Sequence, residues 1–301
     1  MRNIFIDELS KQAKFDERIF LVVGDLGYGV VEPFQSKFPS RFMNVGISEQ
    51  NMIGFAAGLA RSGYKVFVYS IANFPTIRCL EQIRNDVCYE QLDVTIVSNG
   101  AGFSYGVLGY SHFAIEDIGV MRTLPNIEIL SPSDTNEVRS LLKHAISKAG
   151  PKYLRLGKEN NSKPLEIIDI ESPIQINSGA DYCVLVTGEI SIEVLEAVKL
   201  MREFEKVNFD VFSIAILNSS VLAKIKFEKY SKLFTVEEHV SVGGLGSLLA
   251  DFLIDSEISV NLKRIHIKKS TLRLIGDQNF LRRDSGLDFE SLYSTFKRNI
   301  M

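Results

Sequence analysis

Two open, mainly parallel β-sheets covered by helices, an α/β architecture, are expected of this 301-residue chain. Short runs rich in Val, Ile and Phe alternate with helix-length segments, as in parallel strands buried on both faces. That rhythm stops over 158–178, where Asn160, Asn161, Pro164, Pro173 and Gly179 accumulate, and then resumes. With 46% hydrophobic and 24% charged residues, the chain has enough apolar material for two cores of ordinary size. The expected division is a first domain over 1–158, a linker over 159–178 and a smaller second domain over 179–301.

In chain order, the apolar runs 19–23, 65–69, 94–98, 127–130 and 153–156 are expected as strands of the first sheet. Pro75 opens a helix carrying Ile77, Leu80, Ile83 and Val87 on one face. Ser133 or Asp134 caps another that carries Val138, Leu141, Leu142 and Ile146, and Gly150 with Pro151 stops it. Beyond the linker, 183–187, 209–214, 233–236 and 262–267 read as strands. Helices are expected over 192–204, from about Gly244, and over 288–299, the last with Phe289, Leu292, Tyr293 and Phe296 on one face.

Composition narrows the function. A net charge of −3 with dispersed Lys and Arg offers no footprint for nucleic acid or an anionic membrane. No stretch reaches the roughly 18 apolar residues of a membrane span, and the charged opening segment lacks the apolar run of a signal peptide. Cys79, Cys88 and Cys183 show neither disulfide nor zinc spacing. A reduced, cytoplasmic protein is expected.

Parallel sheets bind ligands beyond the carboxyl ends of their strands, so the loops after the apolar runs are the candidates. Asp25 and Leu26 lie among glycines whose spacing does not match a dinucleotide fingerprint. The 99–112 loop holds four glycines and ends at His112, a proton donor or substrate ligand, or else a cap for a helix starting near Ala114. Glu49 stands at the mouth of a helix stripped of bulk by Gly54, Ala56, Ala57, Gly58 and Ala60, where another backbone or a flat ligand can approach. Its plain alternative is a carboxylate settling the positive end of a helix.

Gly46-Ile47-Ser48-Glu49-Gln50-Asn51, with the Gly-Phe-Ala-Ala-Gly-Leu-Ala helix behind it, resembles the pyrimidine-binding domain of the transketolase family of thiamine diphosphate enzymes. Gly24-Asp25-Leu26, the stretch 69–78, Tyr110-Ser111-His112, Ser131-Pro132-Ser133-Asp134 and Tyr153-Leu154-Arg155 follow in family order, and Glu237-Glu238-His239 with Gly243-Gly244 carry the likeness into the second domain, which resembles the transketolase C-terminal domain.

The resemblance implies that Glu49 bonds to a ring nitrogen of the cofactor's aminopyrimidine, where burial beside small residues would raise its proton affinity. It implies that Tyr69 and Phe74 lie against that ring, that Asp25 and Leu26 border the cofactor, and that His112 meets the substrate or bound intermediate. Core packing is the alternative for both aromatic residues. Arg155 corresponds to the family arginine holding an acceptor phosphate, with exposure at a strand end as its alternative, and Arg2 matches another. Gly100 and Leu108 stand where transketolases carry a histidine and an acidic residue that touch the sugar, so the usual pentose and hexose phosphates are not to be assumed as substrates.

A complete enzyme of this kind also needs a domain marked by Gly-Asp-Gly and a later Asn, which binds magnesium and the diphosphate. The Gly276-Asp277-Gln278-Asn279 stretch is only superficially similar and reads as a turn. The resemblance is therefore to the second chain of a split transketolase, with Mg2+ or Ca2+ held by a partner subunit, the two pairing as α2β2 and transferring a ketol unit between sugars or sugar phosphates. The alternatives are the beta subunit of a 2-oxo acid dehydrogenase and a noncatalytic stabilising subunit.

Overall fold

The computed structural model describes residues 1–158 and 167–301. Six strands form the first sheet: β1 (Ile19–Val23), β2 (Phe42–Asn44), β3 (Lys65–Ile71), β4 (Val94–Asn99), β5 (Glu128–Leu130) and β6 (Lys152–Leu156). All are parallel, in the order β2-β1-β3-β4-β6-β5. β1, β4 and β6 are buried along their whole length; β1 is apolar throughout, while β4 and β6 are mostly apolar and also bury Thr95, Ser98, Asn99, Lys152 and Arg155. β2 carried no such signal: as an edge strand with Met43 and Asn44 exposed, it needs few apolar residues.

The second sheet holds β7 (Ile174–Asn177), β8 (Tyr182–Val186), β9 (Phe209–Ser213), β10 (Lys232–Val236) and β11 (Asn261–Ile265), ordered β11-β10-β8-β9-β7. Its only antiparallel pairing, among the described residues, joins β7 to β9. β7 lies inside the stretch read as linker. Pro173 precedes it and only Ile174 of its four residues is buried, so neither periodicity nor an apolar run marks it. Residues 159–166 of that expected linker lie outside the described residues.

The helix carrying Val138 and Leu141 spans Thr135–Ser147, and Asp134 caps it by accepting from the Glu137 N–H. The helix expected from Pro75 is present as one unbroken helical stretch over 77–88, tightly wound over Ile77–Cys79, α-helical over Leu80–Gln82 and widened over Ile83–Cys88. Asp277 is not part of a bare turn but the cap of a helix over Gln278–Ser285. The closing helix is Phe289–Ile300, with Leu292 and Phe296 buried and Phe289 left at its exposed start.

In the first sheet the chain runs outward from β1 to β2 and then returns to place β3 on the other side, so a topological switch point lies between β1 and β3. The two halves share their packing: Phe103, Phe113 and Ile115, all from the loop after β4, are buried in the second half's core with Val184, Val236 and Leu281. Gly119 and Gly243 let the backbones meet, since a Cβ on Gly243 would lie 2.5 Å from Gly119 Cα.

Candidate active site

Glu49 opens the helix Glu49–Arg61 at the switch point, following the β2 loop through Gly46 at φ +74°. Its side chain is 5% exposed, and Arg78 Nη1 donates to its Oε2 at 2.9 Å. The Arg78 guanidinium also lies 5.0 Å from the centre of the Phe74 ring. On the helix's outer flank a Cβ at Gly54 or Gly58 would meet nothing within 4 Å, leaving a bare backbone surface. Exposed apolar residues border this end of the sheet, with Tyr28 at 72% and Ile47 at 78%.

His112 reaches the same place from the other side. The Phe74 and His112 rings meet edge to face at 5.3 Å, and the Asn73 amide donates to the Phe113 carbonyl, tying the loop after β3 to the loop after β4. Pairing of Ala101 and Gly102 with Ala114 closes the long loop, so His112 is held by a structure anchored in the second core. It caps no helix: the next one begins at Asp117, behind Glu116. Ser111 Oγ lies 3.0 Å from His112 Nδ1.

The two aromatic candidates part company. Tyr69 is 1% exposed and stacks on Phe5 with centroids 6.0 Å apart and an 11° interplanar angle, so its ring belongs to the core and has no free face for a ligand. Burial pushes its phenol above the ordinary range. Phe74, one turn of loop further on, is only partly buried and faces Arg78 and His112. The sequence could not separate them, because strand-end direction depends on how the following loop folds back.

Arg155 also corrects its expectation. It is neither exposed nor aimed at a ligand: Nε donates to Asp117 Oδ2 at 2.7 Å, and Nη2 donates to the Ala114 and Glu238 carbonyls at 2.7 and 3.0 Å. Tyr153 donates to the same Asp117 oxygen at 2.6 Å. This buried ion pair joins the long loop to the second half. Asp25, at φ 54°, is exposed, with the Tyr28 hydroxyl and the Asn44 amide holding its carboxyl below the ordinary range; Leu26 is half-buried against the core.

Arg2 lies apart from Glu49, in a cavity of about 400 Å³ shared with Asn99, Gly100, Ser104, Tyr105 and Lys158. This cavity opens at the carboxyl ends of β4 and β6, beside the start of the helix Arg2–Gln12.

One cluster escaped the sequence reading. Beyond the carboxyl ends of β8 and β10, where the second sheet would offer its own crevice, Arg282 Nη2 reaches Glu238 at 2.5 Å and Glu189 at 3.0 Å, while Gln278 donates to both carboxylates. Glu238 also accepts from the Phe103 N–H at 2.7 Å. Burial pushes Glu189 above the ordinary carboxylate range. The second crevice is filled by the protein itself. Glu189, Glu238 and the helix carrying Gln278 and Arg282 are 40 or more residues apart in the chain, so no local motif announced it.

Among the described residues, no group of His, Cys, Asp and Glu could hold a metal ion, and no helix is long and apolar enough to cross a membrane. Cys79, Cys88 and Cys183 are all buried free thiols.

Residues 1–163 match the family described as the transketolase pyrimidine binding domain. The chain is 34% identical to an apulose-4-phosphate transketolase subunit of Actinobacillus succinogenes, over 97% of this chain and 96% of that protein. It is 32% identical to the like-named protein of Phocaeicola vulgatus, over 87% and 86% of the two. Among solved structures, a split gene transketolase described as an inactive beta4 tetramer superposes with a TM-score of 0.86 at 29% identity, covering 99% of this chain and 96% of that one.

Proposed function

Because this chain belongs to the transketolase family, as the second subunit of a split enzyme, we propose that it supplies the pyrimidine-binding half of a thiamine diphosphate site that transfers a ketol unit between sugar phosphates. The observation that carries this reading is the chain of contacts that links Glu49 through Arg78 and Phe74 to His112 at the carboxyl ends of the first sheet's strands.

The residues fit the flat end of the cofactor. Glu49 offers a buried carboxylate, and Phe74 a partly exposed ring beside it. In this reading the diphosphate and its Mg2+ or Ca2+ are held by the partner subunit, which agrees with the absence of a metal-ligating cluster among the described residues, and the partner's approach would cover Ile47 and Tyr28. Two copies of each chain, with the bare Gly54 and Gly58 flank at a subunit contact, is the assembly we favour.

When bound, the cofactor supplies a carbon nucleophile that can carry the two-carbon unit. Glu49 Oε2 would hold a proton at a pyrimidine ring nitrogen, which requires Arg78 to yield the carboxylate it now grips. His112 would meet the substrate's oxygens as hydrogen-bond donor or proton carrier, held in place by Phe74 and Ser111. The cavity holding Arg2 and Lys158 would accept the substrate's phosphate, a task Arg155 cannot share because Asp117 holds it.

The two similar proteins from Actinobacillus and Phocaeicola are named for apulose 4-phosphate, a sugar phosphate, and this supports the substrate class without naming the sugar. Co-purification with the chain carrying the diphosphate domain, followed by a ketol-transfer assay, tests the reading. The complex should be active with added cofactor and the chain alone inactive. Full activity of the chain alone would refute the split site, and consumption of a 2-oxo acid rather than a ketose would favour the dehydrogenase alternative.

A further inference from the structure

We propose that Tyr105 is a specificity-determining residue, whose phenol reads a hydroxyl of the sugar chain from a position that Gly100 has vacated for it. This deepens the ketol-transfer reading and rests on it.

The site is a continuous track. It runs from Glu49 to Arg78 at 2.9 Å, from Arg78 to the Phe74 ring at 5.0 Å, from Phe74 to His112 at 5.3 Å, and from His112 to the Tyr105 ring at 6.5 Å. Tyr105 then lines the cavity that holds Arg2 and Lys158. A substrate with its reacting carbon at the Glu49 end and its anionic tail among the cations must pass Tyr105.

Tyr105 occupies that place because position 100 has no side chain. Gly100 adopts φ +103°, and a Cβ there would lie 2.4 Å from Cδ2 and Cε2 of the Tyr105 ring. The ring therefore covers the strand end after β4, where any other residue at 100 would collide with it. Asn99, the last residue of β4 and nearly fully buried, donates to the Tyr105 oxygen at 2.6 Å. A phenol that accepts this bond keeps its own O–H free to donate. Half-buried at the cavity wall, that donor has a set direction and suits a neutral acceptor such as a sugar hydroxyl.

The test uses the complex with the partner subunit, wild type against Tyr105→Phe, on a ketose phosphate and on analogues each lacking one chain hydroxyl. Tyr105→Phe keeps the ring over Gly100 and deletes only the donor. We expect kcat/KM on the full substrate to fall by about 10- to 100-fold, the scale of one lost neutral hydrogen bond with its partner left unpaired. One deoxy analogue should be used equally well by wild type and variant. Gly100→Ala, which displaces the ring, should reproduce the loss of discrimination. A wild-type complex that transfers ketol units while Tyr105→Phe keeps the same kcat/KM on every analogue overturns this inference alone. A wild-type complex without ketol transfer overturns the underlying reading as well.

Discussion

Replacing Glu49 with Gln separates chemistry from stability more cleanly than any other change in this chain. The substitution keeps the shape of a side chain that is 5% exposed but removes its charge and its capacity to carry a proton. Two interactions weaken. The pair with Arg78 at 2.9 Å involves a side chain that is 51% exposed, so solvent screens it and its loss costs under about 1 kcal/mol. The negative charge in the helix's first turn contributes about 0.3–1 kcal/mol more. Relief from burying a charge offsets part of both, so the melting temperature should fall by no more than about 4 °C for a chain of this size. Activity should respond on another scale: loss of a positioned proton carrier lowers kcat by about 10²- to 10⁴-fold, with kcat/KM falling alongside. The assays are ketol transfer by the assembled complex and differential scanning calorimetry of each variant. A fall in kcat of less than tenfold in an intact complex would refute the assignment of Glu49, and a collapse in melting temperature would refute the claim that its pairing is only surface-strength.

Other perturbations test the rest of the arrangement. Tyr69→Leu should destabilise the chain by about 1–3 kcal/mol through the lost stack on Phe5, while Phe74→Leu should leave folding intact and weaken cofactor affinity; denaturant titration and cofactor titration of the complex would show the reverse pattern if the aromatic roles were exchanged. Asp117→Asn leaves the Arg155 guanidinium buried without its counter-charge and should cost about 3–5 kcal/mol in urea denaturation; a loss below 1 kcal/mol would show that the pair does not join the halves. Burial pushes Glu137 up to about 7, so the folded chain holds a proton there that the unfolded chain releases near 4.5. Stability from this group is present below pH 4.5 and is lost as pH rises through about 7, by about 3 kcal/mol at most. Glu137→Gln should flatten that part of the urea-midpoint profile between pH 5 and 8, and an unchanged slope would clear Glu137 of it.

The inner strands β1, β4 and β6 were legible because a parallel strand buried on both faces is mostly apolar, β6 burying Lys152 and Arg155 only where Asp93 and Asp117 pair with them. The edge strands β2 and β7 were not, since an edge can leave most of its side chains in water. The same contrast holds in the site. Glu49 was legible because its helix mouth, its small neighbours and its motif lie within about a dozen contiguous residues. Arg282, Glu189 and Glu238 were not, because their partnership exists only once distant segments meet.

The amino-acid sequence alone determined the two-sheet α/β architecture and the family likeness, and it singled out Glu49 and His112, all from periodicity or from residues close in the chain. Tertiary structure decided direction. Tyr69 turns into the core and Phe74 toward Arg78 and His112, Arg155 is taken by Asp117 while Arg2 is left to the cavity, and Tyr105 lies over the bare backbone of Gly100. These outcomes depend on which side chain first satisfies a buried charge or fills a space, and that competition is settled by packing across the fold.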